Sequence, residues 1–80
     1  MTFEPAAHLL AFVLPLSFQK GDVTFYPTTK GADVRVTVTP DTKARHVIST
    51  AQLTKGAWVA RLQWSDGQQQ YYQEQELFVV

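Results

Sequence analysis

Two histidines, His8 and His46, carry the most versatile side-chain chemistry in the chain. A neutral imidazole can bind zinc or copper and can exchange protons near neutral pH. The chain has no cysteine and its one methionine is Met1, so the soft ligands that Cu(I) prefers are almost absent. Zinc and copper sites usually need three or four ligands. His8 and His46 are therefore weak metal-site candidates, and we predict neither a metal site nor a cofactor.

A pair of carboxylates, Glu74 and Glu76, lies two positions apart in the C-terminal segment. On one face of a strand, such a pair could perform acid and base catalysis. The same pattern is more typical of charges on an exposed edge strand, where they discourage pairing with another sheet. No serine stands in a nucleophile-elbow motif, and the four glycines are isolated, which is unlike a phosphate-binding loop. We predict no catalytic residue and expect that the protein is not an enzyme.

Three tyrosines, Tyr26, Tyr71 and Tyr72, are the candidates for a partner-binding surface. A tyrosine joins an apolar ring to a polar tip and is enriched in protein interfaces. If two of these rings share an exposed face, that face is a binding candidate. In a domain this small, aromatic side chains more often belong to the core, and the sequence leaves both alternatives open.

The elements that position these residues are strands. Trp58, Ala60, Leu62 and Trp64 recur with a period of two, which predicts one apolar face of a strand, with Trp64 near the end of the sheet. The same period places Val59, Arg61 and Gln63 on the other face. The Asp66-Gly67 pair that follows indicates a hairpin turn, because glycine accepts the positive φ of tight turns. Turn residues recur at short intervals throughout the chain, which predicts an all-β sandwich or barrel. The predicted strands are 2–5, 9–14, 22–26, 33–39, 45–49, 57–64 and 70–79. Val23 and Phe25 are predicted to point inward on the third of these, and Val34, Val36 and Val38 on the fourth.

Several of these strands leave details open. The strand 9–14 is apolar on both faces, which predicts a central position or a covering segment. The strand 45–49 is centred on Val47 or Ile48. The last strand is polar in its middle, which predicts either a bulge or an edge position. Pro5 confines the first strand to an edge.

Composition limits the class of protein. Eighty residues make one domain, and seven basic residues balance seven acidic ones without forming a basic patch, so a nucleic-acid partner is not expected. The start of the chain lacks the basic segment of a signal peptide. Its longest apolar stretch is far shorter than the ~20 residues of a membrane-spanning helix, so we expect the chain as given to be soluble.

Short motifs follow one another in the segments 9–15, 20–27, 30–33, 53–58 and 62–67 with Tyr71-Tyr72. Their succession resembles the FixH family of cytochrome oxidase accessory proteins, in particular its short form. In that family a strand ends in proline, a glycine leads into an aromatic strand closed by proline, and a Gly-x-Trp strand ends in tryptophan before the last hairpin. Tyr26 is a departure, because family members often carry a basic residue just before the proline that closes the third strand.

The resemblance implies an Ig-like antiparallel β-sandwich of about seven short strands, held outside the cytoplasmic membrane by an N-terminal helix. The chain would then be the periplasmic domain alone, covering residues 1–80, with the anchor missing and Met1 belonging to a trimmed piece. Family members are implicated in assembling the cbb-type haem–copper oxidase and are encoded beside a copper-exporting P-type ATPase. The implied partners are that ATPase or oxidase subunits.

Three functions therefore remain open at this stage. The first is a non-enzymatic accessory factor in oxidase assembly or copper supply that acts by protein–protein contact. The second is a copper-binding carrier, which needs His8 and His46 to converge with a third ligand. The third is an Ig-like structural or interaction module of a larger surface protein, since sandwiches host many functions.

Overall fold

The computed structural model describes residues 1–80 as two antiparallel sheets that pack face to face. One sheet has the order β1-β2-β5 and the other the order β4-β3-β6-β7. The predicted all-β architecture is confirmed as a seven-strand sandwich of Ig-like form, in which the fourth strand joins the sheet of β3, β6 and β7. The strands are β1 (Thr2–Glu4), β2 (Leu9–Val13), β3 (Lys20–Pro27), β4 (Val34–Val38), β5 (Arg45–Ser49), β6 (Gly56–Ser65) and β7 (Gln70–Val79). Among residues 1–80, no helix is long and apolar enough to cross a membrane.

The core lies between the sheets and is built from alternate residues of the paired strands. On β6, Trp58, Ala60 and Leu62 are buried, while Arg61 and Gln63 point to the opposite side. Their antiparallel neighbours on β3 follow the same rule, because register places Phe25 opposite Ala60. The predicted inward faces of β3, β4 and β6 are confirmed. The buried cluster comprises Leu10, Phe12, Leu14, Phe18, Val23, Phe25, Val38, Ile48, Leu53, Trp58, Ala60, Leu62, Leu77 and Val79.

The apolar strand β2 is central in the smaller sheet, between β1 and β5. The central position predicted for this strand is confirmed. Its outer face is covered only in part, because Ala11 is buried whereas Val13 is 72% exposed. On β5 the choice between the two central residues is also settled, since Ile48 is buried and Val47 points outward.

The first and last strands of the chain, β1 and β7, are both edge strands. β1 ends at Glu4 because Pro5 begins a 3-10 turn, and a proline cannot donate to a sheet. β7 pairs with β6 over all ten of its residues with no extra residue on either strand. Of the two alternatives predicted for β7, the edge position is therefore correct and the bulge is absent.

The hairpin between β6 and β7 turns through the four residues 66–69. Gly67 has φ +96°, as the Asp-Gly pair predicts. The carboxylate of Asp66 accepts hydrogen bonds from the backbone N–H groups of Gln68 and Gln69, both at 2.9 Å. The turn is thus organised by one carboxylate and one glycine.

Candidate functional site

Arg61 occupies the middle of the outer face of the larger sheet. Because side chains alternate along β6, the neighbours of the buried Ala60 and Leu62 face away from the core. The central carbon of the Arg61 guanidinium lies 5.3 Å from the ring centroid of Tyr26 and 5.9 Å from that of Tyr72. Both distances are within the range of cation–π attraction. The guanidinium is therefore held between one ring from β3 and another from β7.

Glu74 fixes the other side of the same guanidinium. Register places Glu74 directly opposite Arg61, and Arg61 donates from Nε and Nη2 to Glu74 Oε2 at 3.2 and 3.1 Å. The hydrogen bond to Glu74 and the charge of that carboxylate raise the pKa of Arg61 above its ordinary value. An exposed ion pair contributes little to stability. The main consequence of this pair is to orient the guanidinium, so we call Tyr26, Arg61, Tyr72 and Glu74 the outer-face cluster.

A second ion pair lies on the same face, beside the outer-face cluster. Arg35 Nη2 donates to Asp22 Oδ2 at 2.8 Å, and the side chain of Asp22 is only 17% exposed. The other carboxylate oxygen of Asp22, Oδ1, is buried and has no hydrogen-bond partner in the protein. Basic and acidic groups alternate across this face, which is suited to recognising a polar protein surface rather than a polyanion.

Tyr71 does not belong to the outer-face cluster. Adjacent residues of a strand point to opposite faces, so Tyr71 and Tyr72 cannot share one. The ring of Tyr71 stacks on Trp64 with centroids 4.2 Å apart, and its hydroxyl donates to Gln69 Oε1 at 2.8 Å. The structure thus brings Tyr26 and Tyr72 together and places Tyr71 on the other side of the sheet. Both tyrosines of β7 line a shallow groove of ≈ 390 Å³ near the hairpin turn.

The two histidines are not brought together. His8 is exposed in the turn before β2, and its carbonyl accepts from Thr50 N–H. His46 lies four residues before Thr50, about 13 Å along β5 at the usual rise per residue. Its ring stacks on Phe12 with centroids 5.6 Å apart and meets the edge of Phe18 at 5.3 Å.

The surroundings of His46 are aromatic rather than ligand-like. Its Nε2 is buried without a hydrogen-bond partner in the protein. No group of three or more histidine, cysteine, aspartate or glutamate side chains in residues 1–80 is arranged to hold a metal ion. His8 and His46 therefore do not belong to such a group.

The carboxylates Glu74 and Glu76 share the outer face of β7, as their spacing predicts. Glu74 is engaged with Arg61, whereas Glu76 forms no ion pair. Neither lies beside a histidine or a nucleophile, since register places Arg61 and Val59 opposite them. The arrangement can orient a cation or a peptide, but it does not form a general acid and base pair.

Sequence reasoning placed Arg61 on the face opposite the tryptophans but did not identify it as the centre of a cluster. The signal was incomplete because Tyr26 and Tyr72 are remote from Arg61 in the chain. Only the strand order β3-β6-β7 and its register bring the three side chains together.

Comparison with known proteins gives one match. The family model described as FixH matches residues 8–78. No curated protein and no solved structure matches the chain. The matched range contains β2 to β6 in full and β7 up to Phe78, but not β1.

Proposed function

The chain belongs to the FixH family, and on this basis we propose that it is a non-enzymatic accessory factor in the assembly or copper supply of a cbb-type haem–copper oxidase. FixH is an accessory family associated with this class of oxidase and is not known as an enzyme family. We propose that the protein acts by protein–protein contact at the extracytoplasmic face of the membrane. Its partners would be oxidase subunits or the copper-transporting P-type ATPase.

The observation that carries this proposal is the outer-face cluster. Tyrosine and arginine are over-represented among the residues that dominate binding energy at protein interfaces. Tyr72 is 66% exposed, while Arg61 is held in place by Glu74 and two rings. A side chain that is already ordered loses little conformational freedom on binding, which favours contact. The cluster therefore combines exposure with preorganisation on a flat sheet face.

The positions of the histidines support contact rather than copper carriage. A carrier would need His8 and His46 to share a metal with a third ligand, and one lies in an exposed turn while the other lies between Phe12 and Phe18. The family match over residues 8–78 likewise supports the accessory role over a structural module of a larger surface protein.

Complementation of cells that lack the gene tests the role of the cluster. The full protein is restored as wild type, as Tyr72→Ala or as Val13→Ala, and the assembled oxidase is measured by haem staining and oxygen uptake. We expect Tyr72→Ala to weaken partner binding about thirtyfold, the effect of losing a dominant contact of about 2 kcal/mol, and to lower oxidase assembly. Val13 is similarly exposed on the other sheet, so Val13→Ala serves as the matched control and should behave as wild type.

Two results would count against the proposal. Normal oxidase levels in a Tyr72→Ala/Arg61→Ala double variant, at normal protein abundance, would mean that the outer-face cluster is not the contact. Sub-micromolar Cu(I) binding in competition with a chelator, lost in His46→Phe, would favour the carrier instead.

A further inference from the structure

The free edge of β7 differs from the other sheet edges of the molecule. β1 has three residues, β4 and β5 have five each, and β7 has ten. β7 is the last strand of the order β4-β3-β6-β7, so its backbone pairs only with β6. It contains no proline, no lysine and no bulge, so of the usual means of blocking an edge it carries only the charges of Glu74 and Glu76. Its unpaired N–H and C=O groups can therefore accept an added strand.

The charged side chains of β7 beside this edge are both carboxylates, and one of them, Glu74, is paired with Arg61 of β6. On the outer face, Tyr72, Glu74, Glu76 and Phe78 follow one another at alternate positions. The two end members are 66% and 64% exposed. Glu76 has no ion-pair partner, and the strand holds no basic residue to offset it. An added strand would meet an aromatic ring, two carboxylates and a second aromatic ring in that order.

A second copy of this chain is a poor occupant. Two β7 strands paired antiparallel through their middles would bring the Glu74 and Glu76 side chains of both copies close together. Like charges directly or diagonally opposite each other across a sheet are destabilising. The charge that opposes self-pairing is the same charge that favours a basic segment.

We propose that the free edge of β7 takes up an extended segment of a partner protein by strand addition, and that this segment carries lysine or arginine at two alternate positions between apolar residues. The basic side chains face Glu74 and Glu76, and the apolar ones contact Tyr72 and Phe78. The opposite face of the added strand is polar next to Gln73 and Gln75, which occupy two of the three corresponding positions of β7; the third position is the buried Leu77. The inference rests on the proposed function and specifies the chemistry of the partner.

A designed peptide tests this proposal on the purified 80-residue chain. The probe is a capped peptide with the order Val-Thr-Lys-Thr-Lys-Thr-Val, and the matched control has glutamate in place of both lysines. Amide chemical shifts of the isotopically labelled chain are followed during titration. We expect the lysine peptide to bind with a Kd of about 1 mM or tighter, with the shifted amides concentrated in β7 and with weaker binding at higher salt. The glutamate peptide should cause no such shifts.

A charge-reversal pair makes the test specific to the edge. Glu76→Lys should weaken binding of the lysine peptide by on the order of fivefold, because an attractive cross-strand pair becomes a repulsive one. Asp41→Lys changes the net charge equally, but residue 41 lies in the loop between β4 and β5. The affinity of this variant for the lysine peptide should therefore match that of the wild type. Equal binding of both peptides, shifts centred on β4 or β5, or a wild-type dimer joined through β7 would overturn the proposal.

The peptide experiment can fail without affecting the proposed function, and the reverse is also true. If the peptide does not bind but Tyr72→Ala still lowers oxidase assembly, the contact lies on the sheet face and not at the edge. If the peptide binds at β7 but neither Tyr72→Ala nor Glu76→Lys changes oxidase assembly, the edge site exists and the accessory role fails.

Discussion

Two tryptophans on the same face of β6 have different surroundings. Trp58 is 5% exposed, lies opposite the buried Leu77, and its indole N–H donates to the Thr54 carbonyl at 2.8 Å. Trp64 is only half-buried, and the ring stacked on it belongs to Tyr71, which is itself 38% exposed. The apolar face of the hairpin is therefore well covered at the Trp58 end and partly exposed at the Trp64 end, which is the end that carries the turn.

The difference follows from strand length. β6 and β7 have ten residues each, about 33 Å of extended chain, and the longest dimension of the molecule is 35 Å. The strands β2 and β5 of the facing sheet have five residues each, so they cover only part of that length. Phe18, in the loop after β2, is buried and belongs to the core. The two indoles have the same residue type and face the same way, so neither property decides which of them is buried; a facing sheet of shorter strands cannot cover the whole of this face.

The largest effect is expected from Trp58→Ala. Removing a buried indole should lower the free energy of unfolding by about 3–5 kcal/mol, which can be most of the stability of a small domain. Chemical denaturation followed by circular dichroism measures the change, and Trp58→Phe should cost less because much of the volume remains. A near-normal denaturation midpoint for Trp58→Ala would contradict the burial of this indole in the core.

A smaller effect is expected from Trp64→Ala. The half-buried indole loses its stacking on Tyr71 and part of its apolar contact, so a loss of about 1–2 kcal/mol is expected. A double-mutant cycle with Tyr71→Ala should give a coupling of about 0.5–1.5 kcal/mol if the stacked pair acts as a unit. Equal destabilisation by the two tryptophan substitutions would mean that the two ends do not differ.

The smallest effect is expected from Asp66→Asn, in the turn between β6 and β7 at the Trp64 end of the hairpin. Backbone hydrogen bonds from Gln69 and then Gln68 lower the pKa of the Asp66 carboxyl below its ordinary value. The ionised form is thus favoured in the folded state. Its contribution to stability is complete above the ordinary pKa of about 3.9 and is lost as pH falls through the lowered pKa.

Melting curves from about pH 7 to about pH 2 measure this contribution. Asp66→Asn retains an oxygen that accepts the same hydrogen bonds, so the turn should persist. The melting temperature of the variant should fall less steeply with acid than that of the wild type. If the melting temperatures of the variant and the wild type fall equally as the pH is lowered, the Asp66 contacts do not favour folding.

The faces of the strands could be predicted from sequence because alternation is a local property. Val23 and Phe25 on β3, and Trp58 on β6, are buried as a period of two requires. Alternation does not reveal whether another segment covers the outer face of a strand that is apolar on both faces. For this reason the sequence could not show that Val13 stays exposed on an apolar strand.

The candidate site was predictable only in part, because its members come together through register between strands. Sequence identified Tyr26 and Tyr72 as candidates and placed Arg61 on the outer face. The pairing of β3 with β6 and of β6 with β7 is needed to put Arg61 between the two rings. Residue type alone makes Tyr71 and Tyr72 equal candidates, although neighbouring positions of one strand point to opposite faces.

The strand order also has a consequence for the speed of folding. The hairpin of β6 and β7 is local, and hairpins of this kind form in about 1–10 μs. The central pair of the larger sheet sets Lys20 opposite Ser65, more than half of the chain away, and folds dominated by such remote pairs take milliseconds to seconds. We therefore expect the pairing of β3 with β6, and not the formation of the hairpin, to set the folding time of the sandwich.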